Sequence, residues 1–100
     1  MTIAEISVVP IGTGTPSVSQ YVARAIAALG QQKNIKYTLT GMGTILEGNL
    51  TDVLEAVRKM HDSVFGDRVQ RVVTTVRIDE RRDRESSAED KMRSVARKLA

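Results

Sequence analysis

The spacing of apolar and polar residues changes several times along the chain. Residues 2–11, Thr-Ile-Ala-Glu-Ile-Ser-Val-Val-Pro-Ile, are rich in β-branched side chains and predict a strand. Gly12-Thr13-Gly14-Thr15-Pro16 breaks it. Ser17-Val18-Ser19-Gln20 has the form of a capping box, and Val18, Val22, Ala25, Ile26 and Leu29 follow at helical spacing. That helix is expected to stop at Gly30 or Asn34. Ile35, Tyr37 and Leu39 then alternate with Lys36, Thr38 and Thr40, which predicts a strand with Tyr37 and Leu39 turned to the core and Thr38 turned away. Gly41-Met42-Gly43 forms a turn, and Thr44 to Gly48 completes a hairpin. A second helix begins at Asn49 or Thr51, carries Val53, Val57, Met60 and Val64 as its stripe, and stops at Gly66. Val69 to Asp79 predicts a fourth strand, with Val72, Thr74, Val76 and Ile78 on one side. After a charged loop, Ser86-Ser87-Ala88-Glu89 opens a last helix whose stripe is Ala88, Met92, Val95 and Leu99.

The order is βαββαβ plus a C-terminal helix: an α+β, ferredoxin-like arrangement with a four-stranded antiparallel sheet, in one domain spanning residues 1–100. Its helices cover one face of the sheet. Glu5, Ser7, Val9, Arg71, Val73, Thr75 and Arg77 fall on the other, a mixture of apolar and charged groups that calls for a cover; self-association is the commonest one. A domain of 100 residues buries only about 60–65% of its unfolded surface, so assembly would add useful burial.

Composition narrows the chemistry. There is no cysteine, and His61 is the sole histidine, so thiolate catalysis and a closed His/Cys metal site are not expected, nor is any cofactor. The first residues lack the basic start of a secretory leader, and no apolar run approaches the roughly 20 residues of a membrane span; a cytoplasmic protein with no membrane partner is expected. The net charge of +3 is uneven: ten basic and six acidic residues follow position 67. Asp79, Glu80, Asp83 and Glu85 are interleaved with Arg77, Arg81, Arg82 and Arg84, so the field of a phosphate-binding surface is largely cancelled.

Four stretches, in order across nearly the whole chain, carry a family resemblance. They are Pro10-Ile-Gly-Thr-Gly-Thr-Pro-Ser17-Val-Ser-Gln-Tyr-Val22, Tyr37-Thr-Leu-Thr-Gly-Met42-Gly-Thr44-Ile-Leu-Glu47-Gly48, Arg71-Val-Val-Thr-Thr-Val-Arg77-Ile78-Asp79, and Arg81-Arg-Asp83 with Lys91 downstream. Together they resemble the thiamine-binding protein family of small ferredoxin-like proteins. The resemblance implies a homotetramer built as a dimer of dimers, and a non-catalytic protein that binds thiamine or its hydroxymethylpyrimidine part. The pyrimidine offers an exocyclic amine and ring-nitrogen acceptors, which a carboxylate and a hydroxyl can satisfy while an aromatic or Met side chain packs on the ring. Tyr37, Thr38, Met42, Thr44 and Glu47 offer such groups on one hairpin, and Ser17 approaches from the neighbouring edge. Glu47 is expected to accept the pyrimidine's donors.

Other functions fit less well. Acylphosphatases share the topology but need a loop arginine after the first strand, and here none precedes Arg24. RNA-recognition modules stack bases on sheet aromatics, whereas only Tyr37 of the three aromatics sits on an expected strand. No nucleic-acid partner is therefore expected. A regulatory or structural oligomerisation module with a different ligand is the alternative to a thiamine binder. His61, on the apolar side of its helix, reads as a hydrogen-bonded packing residue.

Overall fold

The computed structural model describes residues 1–100, the side chain of Gln31 excepted. Strands β1 (Thr2–Pro10), β2 (Lys36–Leu39), β3 (Thr44–Gly48) and β4 (Val72–Glu80) alternate with helices α1 (Ser19–Ala28), α2 (Leu50–Val64) and α3 (Ala88–Leu99) in the expected order. The sheet runs β2-β3-β1-β4 and every neighbouring pair is antiparallel. This is the α+β, ferredoxin-like fold with one added helix.

Register fixes which side chains share a face. Ala4 pairs with Leu46 and Ile78, and Ile6 pairs with Thr44 and Val76. Ala4, Ile6 and Leu46 are buried beneath α1 and α2 with Tyr21, Ala25, Val53, Ala56, Met60 and Val64. Each larger side chain buried this way is worth about 1.5–3 kcal/mol. His61 packs edge-on against Phe65, and its Nδ1 lies 2.6 Å from the Thr74 hydroxyl, the packing role expected of it. The hydroxyl of Thr2 is the one fully buried side-chain polar atom without a partner among the described residues.

Two local expectations need correcting. The capping box at Ser17 does not form: Val18 is the N-cap of α1 with no side-chain hydrogen bond. The backbone N–H of Ser17 instead donates to the Thr15 hydroxyl, inside a loop where Gly12 and Gly14 both take positive φ. The chain is still turning at Ser17, so the helix begins two residues later. Tyr37 and Leu39 have the expected parity, opposite Leu46 and Thr44, but both are exposed. The helices pack over β1, β3 and β4, and β2 is an edge strand that they leave open.

α3 stands apart. Its N-terminus has the capping box that α1 lacks, one residue beyond the Ser86–Glu89 pair that the sequence suggests: Asp90 N–H donates to the Ser87 hydroxyl and Ser87 N–H donates to the Asp90 carboxylate. Yet none of its residues is buried. The Cα radius of gyration is 15.0 Å, against about 13 Å for a compact chain of this length, because this helix projects from the body.

Candidate functional site

A cleft of about 300 Å³ opens between α1 and the β2–β3 turn. Ile6 and Val8 of β1 form its floor, Val18, Val22 and Ala25 of α1 one wall, and Leu39 to Thr44 the opposite lip, with Met60 of α2 behind. The lip is a tight turn. Thr40 donates from both its N–H and its hydroxyl to the Gly43 carbonyl, each at 2.8 Å, and its hydroxyl accepts from Met42 N–H. Gly43 sits so close to β1 that a Cβ there would lie 2.8 Å from the Ile6 carbonyl oxygen; only glycine lets the lip close down on the floor. Met42 at the tip is exposed, a flexible and polarisable flap at the mouth.

The cleft is neutral. No titratable side chain lines it, and the hydroxyl side chains on its helix-side lining are those of Thr40 and Thr44. Thr44 is buried. Such a cavity suits a flat, mainly apolar ring with a few hydrogen-bonding atoms at its edge. It offers no carboxylate, imidazole or amine for proton transfer. Among the described residues, no cluster of three His, Cys, Asp or Glu side chains is placed to hold a metal ion.

The six residues expected from sequence divide between the two faces of the sheet. Met42 and Thr44 line the cleft, and Ser17 immediately precedes Val18 of its wall. Tyr37 shares the helix-side face but stands on the open edge strand, outside the cleft. Thr38 pairs with Ile45 and Glu47 with Ile3 and Lys36, which puts both on the outer face. Glu47 is only 6% exposed. Its Oε1 accepts the Ala88 N–H at 2.7 Å, and its Oε2 lies 4.0 Å from Lys36 Nζ. The carboxylate thus holds the N-terminus of α3, where the helix dipole favours a negative charge. Val18 and Val22 lie at helical spacing and Val8 on the helix side of β1, and that periodicity carries no sign that the space between them stays open.

A family profile described as thiamine-binding protein matches residues 4–96. The chain belongs to the thiamine-binding protein family. The UPF0045 protein YqgV of Bacillus subtilis is 41% identical over 102 residues, which cover 99% of this chain and 98% of that protein. A UPF0045 protein of Methanothermobacter thermautotrophicus is 43% identical over 100 residues, covering 99% and 100%. Among solved structures, a hypothetical protein of Methanocaldococcus jannaschii superimposes with a TM-score of 0.86 at 39% identity over 95% of each chain. A Thermotoga maritima protein named for thiamine biosynthesis or salvage superimposes at 0.74 with 20% identity, over 94% of this chain and 97% of that one. At that identity the likeness is one of fold. Within the thiamine-binding protein family this chain thus keeps the common architecture over nearly its full length, and no helix in it is long and apolar enough to cross a membrane.

Proposed function

We propose that this protein binds thiamine, or its hydroxymethylpyrimidine part, without catalysing a reaction, and does so as a cytoplasmic homo-oligomer, a tetramer by resemblance to its family. The observation that carries the proposal is the neutral cleft walled by α1 and the Met42 turn, in a chain of the thiamine-binding protein family. The pyrimidine enters the cleft, Thr44 and Thr40 meet its edge, and Met42 closes on its face. The thiazolium, which carries the positive charge, stays at the mouth in water, since a charge inside an apolar cleft without a partner is costly. With only hydroxyls as polar side chains around the ring, binding is the whole of the chemistry. Glu47 keeps to α3 in this scheme, and the link from Thr44 to the ligand replaces the one first expected from Glu47.

Calorimetric titration of ligand-free protein with thiamine, its phosphates and the free pyrimidine tests the proposal. Heat is expected with thiamine and with the pyrimidine, and a phosphate should add no affinity because no cation lines the cleft. Thr44→Val should weaken binding by about 0.5–1.5 kcal/mol, one neutral hydrogen bond. Absence of heat with all three compounds removes thiamine as the ligand. Binding that is unchanged in both Thr44→Val and Met42→Lys keeps the ligand but removes it from this cleft.

A further inference from the structure

We propose a second ligand site, on the other side of the sheet from the cleft: the hollow between α3 and the loop that joins it to β4 takes a phosphomonoester of a small organic molecule. The hollow measures about 520 Å³, the size of a small-ligand site. Ile3 of the outer face and Val95 of α3 are its apolar lining, and the half-buried hydroxyls of Ser86 on the loop and Ser94 on the helix also face it. Five cationic side chains line it against three carboxylates. Asp90, Arg93, Ser94 and Arg97 recur at helical spacing, so α3 turns one polar stripe to the hollow.

The interleaved signs between Arg77 and Glu85 suggest that the charges cancel, and the ion pairs show where they do not. Arg81 is spent on Asp83 and Arg82 on Glu80, within the loop. Inside the hollow, Asp79 pairs with Lys91 at 2.5 Å, and Glu85 lies 3.4 Å from the N-terminal amine. Asp90 accepts the Ser87 N–H and sits 3.7 Å from Arg93. Each carboxylate of the lining therefore has a cation beside it already. Arg84 and Arg97 pair with no carboxylate among the described residues, although Arg84 is near enough to help lower the Asp83 and Asp90 carboxyls through space. Two guanidinium groups, one on the loop and one on the helix, are thus left unfilled around a hollow whose carboxylates are engaged. A guanidinium fork matches phosphate oxygens bidentately, and two of them suit a dianion. The Ser86 and Ser94 hydroxyls supply neutral donors beside them. The anion is an ester because the hollow has room beyond a phosphate group, and Ile3 and Val95 offer that room an apolar surface.

Calorimetry on the full chain with phenyl phosphate and with inorganic phosphate tests this. Neither probe carries a pyrimidine, so the result stands apart from the thiamine titration. A thiamine phosphate held in the hollow would be insensitive to Thr44→Val and Met42→Lys. Phenyl phosphate is expected to bind several times more tightly than inorganic phosphate, and both should weaken several-fold as salt is raised from about 20 to about 200 mM. Arg84→Gln/Arg97→Gln should lower the affinity for phenyl phosphate by about tenfold or more. Arg68→Gln/Arg82→Gln removes the same charge from exposed positions outside the hollow, and should lower it by about twofold or less. Far-ultraviolet dichroism checks that both double variants are folded. Absence of phosphate binding by the wild type overturns the proposal. So does an equal loss in the two double variants, the mark of a diffuse surface attraction. Equal affinity for the two probes overturns the assignment of an ester.

Discussion

α2 and α3 are written in nearly the same way and end in opposite circumstances. Each opens with a side-chain cap, Asn49 accepting from Asp52 N–H and Ser87 from Asp90 N–H, and each carries one apolar stripe. Val53, Ala56, Met60 and Val64 of α2 are buried, whereas α3 buries nothing. The difference lies in connection. α2 joins two strands of one sheet and is returned over it by both ends, while α3 follows β4 and is held to the sheet through its first turn. A hydrophobic period therefore announces that a helix has a face to cover, and topology decides whether the same chain covers it.

The largest contrast should come from truncating the two stripes. Val53→Ala in α2 is expected to cost about 1.5–3 kcal/mol of global stability, by lost burial and a residual cavity. Leu99→Ala in α3 should change the unfolding free energy of the dissociated chain by less than about 0.5 kcal/mol. Urea denaturation followed by far-ultraviolet dichroism, at protein concentrations low enough to dissociate any oligomer, measures both. Equal losses would mean that α3 belongs to the core of its own chain.

A smaller effect isolates the clasp. Glu47→Gln keeps the size of the side chain and removes the charge that faces the N-terminus of α3. It is expected to weaken docking of that helix by about 1–2 kcal/mol. Hydrogen exchange should read this as a five- to thirtyfold faster exchange of the α3 amides, with α2 and the sheet unchanged. The thiamine titration of the same variant sharpens the comparison of the two faces. Affinity equal to wild type is expected, and a large loss would bring the ligand to the outer face after all.

The ferredoxin-like order, the β2–β3 hairpin and the faces of Glu5, Ser7, Val9, Val73, Thr75 and Arg77 were legible in the sequence, because antiparallel strands alternate strictly and the register suffers no slip between Thr2 and Pro10. Family membership was legible from four ordered stretches. What escaped was set by tertiary position. Tyr37 and Leu39 alternate like core residues, but no pattern within β2 reveals that the helices stop short of an edge strand. Ser17 has capping chemistry but lies in a loop still governed by Gly12 and Gly14. Thr44 and Glu47 are three residues apart on one strand, an odd separation that sends them to opposite faces, so they could serve one small ligand only if a bulge intervened. The β1–β3 register runs unbroken from Thr44 to Gly48, and Gly43 just before it is a point of close approach to Ile6.

The smallest effect concerns the caps themselves. Asn49→Ala removes the acceptor for Asp52 N–H, which is 2.9 Å away, and should cost about 1 kcal/mol of global stability, because α2 unfolds only with the core. Ser87→Ala removes an equivalent cap, but its loss should appear as local fraying of α3 alone. That cap also carries a pH signature. The Asp90 carboxyl is held below the ordinary aspartate value of 3.8, first by the Ser87 N–H it accepts and then by the Ser87 hydroxyl. A carboxyl lowered in the folded state stabilises the helix above its unfolded pKa and loses that contribution as pH falls through the folded value. Exchange at the α3 amides should therefore quicken as pH is taken below about 4, after correction for intrinsic rates, while α2 amides hold. In Ser87→Ala the acid-induced part of the change should shrink, since one of the groups that lower the Asp90 pKa is gone. If α2 and α3 instead lost protection together, α3 would be part of the cooperative core and the contrast between the two helices would be one of exposure only.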